Sequence, residues 1–140
     1  MTRTTILSGK RLQNPVLLPF SRVGQTGGTT LYFSFGNNAG ASRADETEEL
    51  VPMPRAGIFC NLAVYSQLAQ GAGKTSTVKL RKNRADTAVT VSLTNSTGPG
   101  YDFTHEVEVA KDDLISFSIS LTAAATMGEI HGSIEFHPLG

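Results

Sequence analysis

Residues 71–75, with the sequence Gly-Ala-Gly-Lys-Thr, contain part of the pattern of a phosphate-binding loop. Such a loop needs a further glycine five residues before Gly73, because its backbone N–H groups must curl around the phosphates. Leu68 occupies that position, and the residues after Lys74 alternate as in a strand, where the loop requires a helix. We therefore interpret the stretch as a turn between two strands and expect no nucleotide there.

Histidine and cysteine side chains are the other candidates for chemistry. His131 and His137 are six residues apart on one predicted strand, or roughly 20 Å, so they cannot share a metal ion. His105 falls on the predicted inward face and has no second ligand in the sequence nearby. Cys60, the single cysteine, lies among apolar residues, which favours a core thiol over an exposed nucleophile. We expect no catalytic residues, no metal and no cofactor, and therefore not an enzyme.

Two runs of charge are candidates for binding a partner. The first is acidic and occupies residues 45–49; the second is basic and lies at a predicted hairpin tip, residues 79–84. One interpretation is that both are solvated faces, and the other is that they meet across a subunit contact or on a larger assembly. The candidate partner-binding residues here are Asp45, Glu46, Glu48, Glu49, Arg81, Lys82 and Arg84.

Composition limits the class of protein. The chain has 140 residues, with 12 basic and 12 acidic side chains, so its formal net charge is zero. A dedicated nucleic-acid binder carries a basic excess, so we expect no nucleic acid as partner. No apolar run reaches the ~20 residues of a membrane helix, and residues 1–7 show no signal-peptide pattern. We expect a protein made in the cytoplasm that binds no membrane.

Apolar and polar residues alternate from residue 58 to residue 136, which is the period of a strand with one buried face. Short strands at ~8–12-residue spacing predict a sandwich or barrel. We predict an all-β fold, a jelly-roll-like antiparallel β-sandwich of about eight strands, with Ser116 and Ser118 on a wet face. The predicted core residues are Ile58, Leu62, Val64, Val89, Val91, Val107, Ile115, Phe117, Ile119, Ile134 and Phe136.

The first 28 residues read as an extended arm, and residues 29–140 as the sandwich. Pro15 and Pro19 disfavour the middle of a sheet, and only one short edge strand is expected, at residues 4–8. The segment is too apolar for a free tail, so we expect it to lie across a neighbouring subunit or a larger assembly. Its candidate contact residues are Arg3, Ile6, Leu7, Lys10, Arg11, Leu12, Leu17, Leu18 and Phe20.

Four segments, residues 55–62, 73–83, 87–91 and 107–117, carry a family resemblance. They resemble small jelly-roll structural domains of tailed bacteriophages, which occur in capsid decoration (cement) proteins and in tail or fibre tips. The resemblance covers residues 55–136. It implies a virion structural protein, commonly a homotrimer, without catalytic residues.

The arm and the lack of a shaft-like repeat favour one member of that group. We expect a capsid decoration protein on the outside of a phage head that bridges neighbouring major capsid subunits. Its partners would be copies of itself and the major capsid protein, and its location the capsid surface after synthesis in the host cytoplasm. The alternatives are a tail or fibre-tip receptor-binding module and a lectin-like carbohydrate-binding jelly roll. The last is disfavoured by the absence of Trp and the presence of only three Tyr.

Overall fold

Twelve β-strands and one short 3-10 helix make up the part of the chain that this computed structural model describes, residues 14–23, 25–37 and 42–139. The strands are β1 (Val16–Arg22), β2 (Gln25–Thr26), β3 (Thr30–Phe33), β4 (Gly36–Asn37), β5 (Val51–Pro52), β6 (Gly57–Ser66), β7 (Thr75–Lys82), β8 (Ala85–Thr94), β9 (Gly100–Val109), β10 (Leu114–Leu121), β11 (Thr126–Met127) and β12 (Ile130–Pro138), and the 3-10 helix is Glu46–Glu49.

The long strands form two sheets. The first sheet has the order β4-β1-β12-β6-β9, and the second has the order β3-β10-β7-β8, with β5 also paired to β10. Pairing is antiparallel except between β1 and β4. Four strands of each sheet, β1-β12-β6-β9 and β3-β10-β7-β8, have the jelly-roll order, so the predicted all-β jelly-roll sandwich is confirmed.

The core lies between the sheets and is centred on three phenylalanines. Phe20 comes from the first sheet, Phe33 and Phe117 from the second, and the three ring centroids lie 4.9–5.2 Å apart. Burial of each ring contributes up to ~3 kcal/mol to the free energy of unfolding, so the packing of this cluster is a main contact between the two sheets. All the predicted core residues are buried except Val107, which is partly buried against the core.

Two predicted turns are confirmed. Asn83 and Arg84 join β7 to β8 with φ values of 51° and 65°, the left-handed conformation that a two-residue hairpin requires. The Lys74 N–H donates to the Gly71 carbonyl at 3.0 Å and closes a turn, and β7 begins at the next residue, Thr75. The glycine-lysine stretch therefore leads into a strand, as the spacing predicts.

A bulge in β6 changes which side chains face the core. Asn61 has a φ of 56°, and the pairing register shifts on both sides of it. The sequence pattern places Ile58 and Cys60 on the same face as Leu62, but the extra residue reverses the alternation. Phe59 lies in the core cluster instead, while Ile58 and Cys60 are buried outside it.

A second irregularity, in β9, makes the predicted inward direction of Phe103 and His105 wrong. Three residues of β9, 103–105, lie opposite the single residue Asn61 of β6. The pairs on either side show this, because Cys60 pairs with Glu106 and Leu62 pairs with Asp102. The alternation is lost across these residues, and Phe103 and His105 are exposed.

The serine face of β10 also differs from the prediction, because Ser116 and Ser118 are buried. Ser116 Oγ donates to Glu46 at 2.8 Å, so the 3-10 helix covers this end of the face. Ser118 lies between the larger side chains of Tyr32 and Lys79 on the neighbouring strands. A serine side chain can be buried at both positions because it is small and because its hydroxyl group can form a hydrogen bond inside the protein.

The arm prediction is wrong from Val16 onward. Strand β1 pairs with β12 along its whole length and belongs to the sandwich. Among the described residues, the side of β1 away from β12 pairs only with β4, at Phe20 and Ser21. Pro19 faces no described strand on that side and is tolerated. Outside the described residues lie the expected strand at residues 4–8 and the candidate contacts Arg3, Ile6, Leu7, Lys10, Arg11 and Leu12.

Candidate functional site

The acidic and basic runs meet within one chain. Glu46 in the 3-10 helix accepts from Arg81 on β7, with Oε2 2.6 Å from Nε and Oε1 3.1 Å from Nη2. Only 4% of Glu46 is exposed, and Arg81 also bonds Asp86 and lies over the Tyr32 ring. Glu46 and Arg81 therefore satisfy each other inside the domain, and their proposed role toward a partner stays a prediction.

The electrostatics of Glu46 fit this internal role. Burial on its own would raise the pKa of Glu46, but hydrogen bonds from Arg81 and Ser116 and the nearby guanidinium charges hold it below its usual value. The pKa of Arg81 is raised in turn, first of all by its hydrogen bond to Glu46. Both groups stay charged across the physiological range, so the pair fastens the 3-10 helix to the second sheet.

A second buried ion pair fastens the other end of the same helix. Arg22 is 1% exposed and its Nη2 lies 3.3 Å from Glu49 Oε2, which also accepts from Ser34 Oγ at 3.0 Å. Arg22 Nη1 donates to the Ser21 carbonyl at 2.9 Å, and its guanidinium lies 5.6 Å from the Phe33 ring centroid. Glu49 is therefore paired inside the domain, and its proposed role toward a partner stays a prediction.

The remaining charged candidates reach the surface. Glu48 is exposed and pairs with Arg43 at 3.5 Å, and Arg84 is exposed 3.6 Å from Glu46. Asp45 accepts from the Thr47 hydroxyl and N–H, which lowers its pKa and caps the helix. Lys82 is half-buried and its Nζ donates to the Glu108 carbonyl. Their proposed role toward a partner stays a prediction.

The two outer faces of the sandwich have different chemistry. On the second sheet, hydroxyl groups pair across strands at 2.8–3.0 Å, as in Thr75 with Thr94 and Thr77 with Ser92. In the part of the chain that the structure describes, the exposed large apolar side chains all lie on the first sheet or on segments leaving its strands. They are Val16, Leu17, Val23, Tyr65, Leu68, Tyr101 and Phe103.

The start of β1 is an open apolar edge. Leu17 is 63% exposed and Val16 47%, and no strand in the described ranges pairs with residues 16–19 on the side away from β12. Leu18 packs against the core and Phe20 is buried in it, so these two predicted contact residues serve the domain itself. Of the three described candidates from the predicted arm, only Leu17 faces solvent.

Four ring side chains lie on the outer face of the first sheet. Tyr101 and Phe103 stack with centroids 4.8 Å apart and planes 21° apart, and each is more than half exposed. Tyr65 pairs across strands with His131, with ring centroids 6.3 Å apart. Sequence reasoning missed the first pair because alternation placed Phe103 inside.

Asp102 holds the irregular part of β9 in this shape. Its buried carboxylate accepts from the backbone N–H groups of Thr90, Thr104 and His105 at 3.0–3.1 Å. Burial would raise the pKa of Asp102, but these donors, together with the His105 ring, lower it to about 2. Asp102 with a threonine two residues later is the sequence signal for this turn, because short polar side chains cap local N–H groups.

The three histidines have separate surroundings. His105 Nδ1 lies 3.0 Å from Asp102, His137 Nε2 lies 3.3 Å from Glu135, and His131 neighbours Tyr65. In the described ranges, no three His, Cys, Asp or Glu side chains come close enough together to hold a metal ion. No helix among the same residues has the length and apolar character to span a membrane.

Neither a scan of protein-family models nor a search of curated proteins finds a match to the chain. Among solved structures, the chain is similar to a Bacillus endospore appendage protein of disulfide-linked pili, at 12% identity over 98% of this chain and 99% of that one, with a TM-score of 0.44. It is also similar to a family 35 carbohydrate-binding module from Clostridium thermocellum, at 9% identity over 88% and 98% of the two chains, with a TM-score of 0.44. The Eiger TNF structure from S. frugiperda matches at 12% identity over 88% and 94%, again with a TM-score of 0.44. At these values the likeness is one of fold.

Proposed function

We propose that this chain is a non-enzymatic structural protein of a phage virion, a decoration protein on the outside of the head that bridges neighbouring major capsid subunits. Two findings support the proposal. Residues 55–136 resemble phage jelly-roll structural domains, and the described domain presents an open apolar strand edge on one side. Its proposed place is the capsid surface.

The open edge of β1 is the observation on which the proposal depends. Unpaired N–H and C=O groups beside exposed apolar side chains form a template for another strand, and soluble proteins usually protect such edges. Leu17 and Val16 provide apolar contact, while the backbone of residues 16–18 provides hydrogen bonds for a strand added there. A segment of the major capsid protein is the partner that fits this mode.

Substitution of Leu17 tests the attachment surface. Leu17→Lys puts a charge on the edge, and we expect binding to undecorated heads to weaken at least tenfold. Leu68→Lys is the matched control, because Leu68 is 54% exposed but lies in the segment after β6. Thermal melts of both variants should match the wild type, since neither side chain is in the core.

Equal head binding by Leu17→Lys and the wild type would overturn the role of the β1 edge. Binding of the wild type to tails and not to heads would replace the head assignment with the fibre-tip alternative.

The proposed oligomer is a homotrimer, a number taken from the family resemblance. Low charge content and zero net charge reduce the repulsion between copies, which is compatible with self-association. Mass measurement in solution at micromolar concentration should give three times 14.9 kDa. A monomer both free and on its target would contradict this assignment.

A further inference from the structure

We propose that the outer face of the first sheet carries a binding site for a neutral β-linked hexopyranose, with Ala63 as its floor. Ala63 on β6 pairs with Tyr101 on β9 and with Ser133 on β12. Neighbouring strands are about 4.8 Å apart, so Tyr101 and Ser133 stand about 10 Å apart with only a methyl group between them. This spacing of the strand backbones sets the size of the proposed site, which is one sugar ring.

Aromatic rings form one wall of this gap. Tyr101 stacks on Phe103, which steadies the ring, and 55% of Tyr101 is exposed to a ligand. Tyr65, two residues beyond Ala63 on the same strand and face, is 43% exposed and is flanked by His131. Aromatic faces carry partial negative charge and attract the polarised C–H groups of a sugar ring.

Polar groups at the site are uncharged or weakly basic, which matches a sugar's hydroxyl groups. Ser133 and His131 lie on β12 opposite the aromatic wall, and the tyrosine hydroxyls add two more donors and acceptors. A small number of such groups around apolar rings is the usual make-up of a small-molecule site.

Charge selects a neutral sugar over an acidic one. The strands that hold the site, β6, β9 and β12, contain no Lys or Arg. Among the described residues, the charged side chains in the rows next to the site are acidic. Glu106 and Glu135 pair with Cys60 on one side, and Glu129 precedes His131 by two residues on the other. Sialic and uronic acids would therefore be repelled.

Ring stereochemistry narrows the ligand further. A pyranose whose hydroxyls are all equatorial exposes only axial C–H groups on its two faces, so it can lie flat on an aromatic ring. Glucose and N-acetylglucosamine in β-1,4 linkage have this arrangement. The site reaches β12, the strand beside β1, where Ser133 pairs with Pro19. Its sugar ligand does not depend on the proposed attachment to heads.

Calorimetric titration of the full-length chain with cellotriose and with triacetylchitotriose tests the site. We expect at least one to bind with a Kd below ~1 mM, and Tyr101→Ala to weaken binding about tenfold, the equivalent of one aromatic contact. Ala63→Leu should abolish binding while leaving every ring in place, because it fills the floor. Leu68→Ala, at an exposed position outside the site, is the control and should bind as the wild type does.

Failure of both trisaccharides to bind at ten times that concentration would overturn the proposal. So would wild-type affinity in both Tyr101→Ala and Ala63→Leu, or a preference for a sialylated trisaccharide. Loss of head binding in Leu17→Lys with sugar binding retained would show that the two surfaces act independently.

Discussion

Substitution of Glu46 tests the role of the buried ion pair between Glu46 and Arg81, because the Glu46 carboxylate holds the 3-10 helix against the second sheet. Glu46→Ala removes one partner of a buried ion pair and leaves Arg81 and Ser116 without their shared acceptor. Breaking a buried pair in this way costs about 3–5 kcal/mol. Arg81 retains Asp86 and its side chain is 15% exposed, so we expect the lower end, about 3 kcal/mol.

Two further substitutions calibrate that value. Glu46→Gln keeps one oxygen as an acceptor, replaces the other with an NH2 donor and removes the charge, so it should lose about half as much stability. Glu48→Ala, two residues along the same helix, removes an exposed pair with Arg43 and should change stability by less than about 0.5 kcal/mol.

Urea denaturation followed by circular dichroism measures these differences, since the chain has no Trp for fluorescence. The melting temperature of Glu46→Ala should fall by about 10 °C, given about 3 °C for each kcal/mol in a domain of this size. A loss below about 1 kcal/mol, or one no larger than that of Glu48→Ala, would refute the argument that this pair is buried and structural.

Three other substitutions have defined outcomes. The pKa of Asp102 is lowered from 3.8 to about 2, so its carboxylate contributes about 2 kcal/mol to the free energy of unfolding. This contribution is fully present above about pH 4 and is lost as the pH falls toward 2. Asp102→Asn should therefore flatten the fall in unfolding free energy over that range in acid titrations, and an unchanged slope would contradict it. Gly132→Ala should cost about 2 kcal/mol in urea denaturation, because the added Cβ would overlap the Ala63 carbonyl oxygen and the Phe20 ring, and full stability would refute that packing. Cys60→Ala should lose about 1 kcal/mol and leave the oligomer mass unchanged, whereas a changed mass would show a role in assembly.

The alternation of side chains is a reliable guide to this fold where the strands are regular. Val89 and Val91 on β8, and Ile115, Phe117 and Ile119 on β10, are buried as the period of two predicts. Regular strands obey the pattern because successive side chains point to opposite faces.

The pattern fails where the backbone inserts an extra residue or where a distant segment covers a polar face. Asn61 and the turn at Asp102 reverse the alternation, and no apolar residue signals the reversal. Ser116 is buried because Glu46, 70 positions away in the sequence, lies over it. Pairing of this kind depends on tertiary contacts that a local pattern does not contain.

The pairing of β1 and the residues of the surface sites also depend on tertiary contacts, so the local sequence pattern does not predict them. Pro15 and Pro19 disfavour a central strand, yet among the described residues only β4 pairs with the far side of β1, at Phe20 and Ser21. Pro19 is therefore tolerated. Tyr65 and Tyr101 are 36 residues apart, and only the pairing of β6 with β9 brings them to one face.

Quantitative mass spectrometry of separated heads and tails tests the proposed attachment to heads most directly. The particles would come from gradient-purified virions of the phage proposed to encode the chain. We expect the chain with the heads, in a fixed ratio to the major capsid protein that corresponds to whole trimers. Its absence from virions, or its presence with the tails alone, would refute attachment to heads.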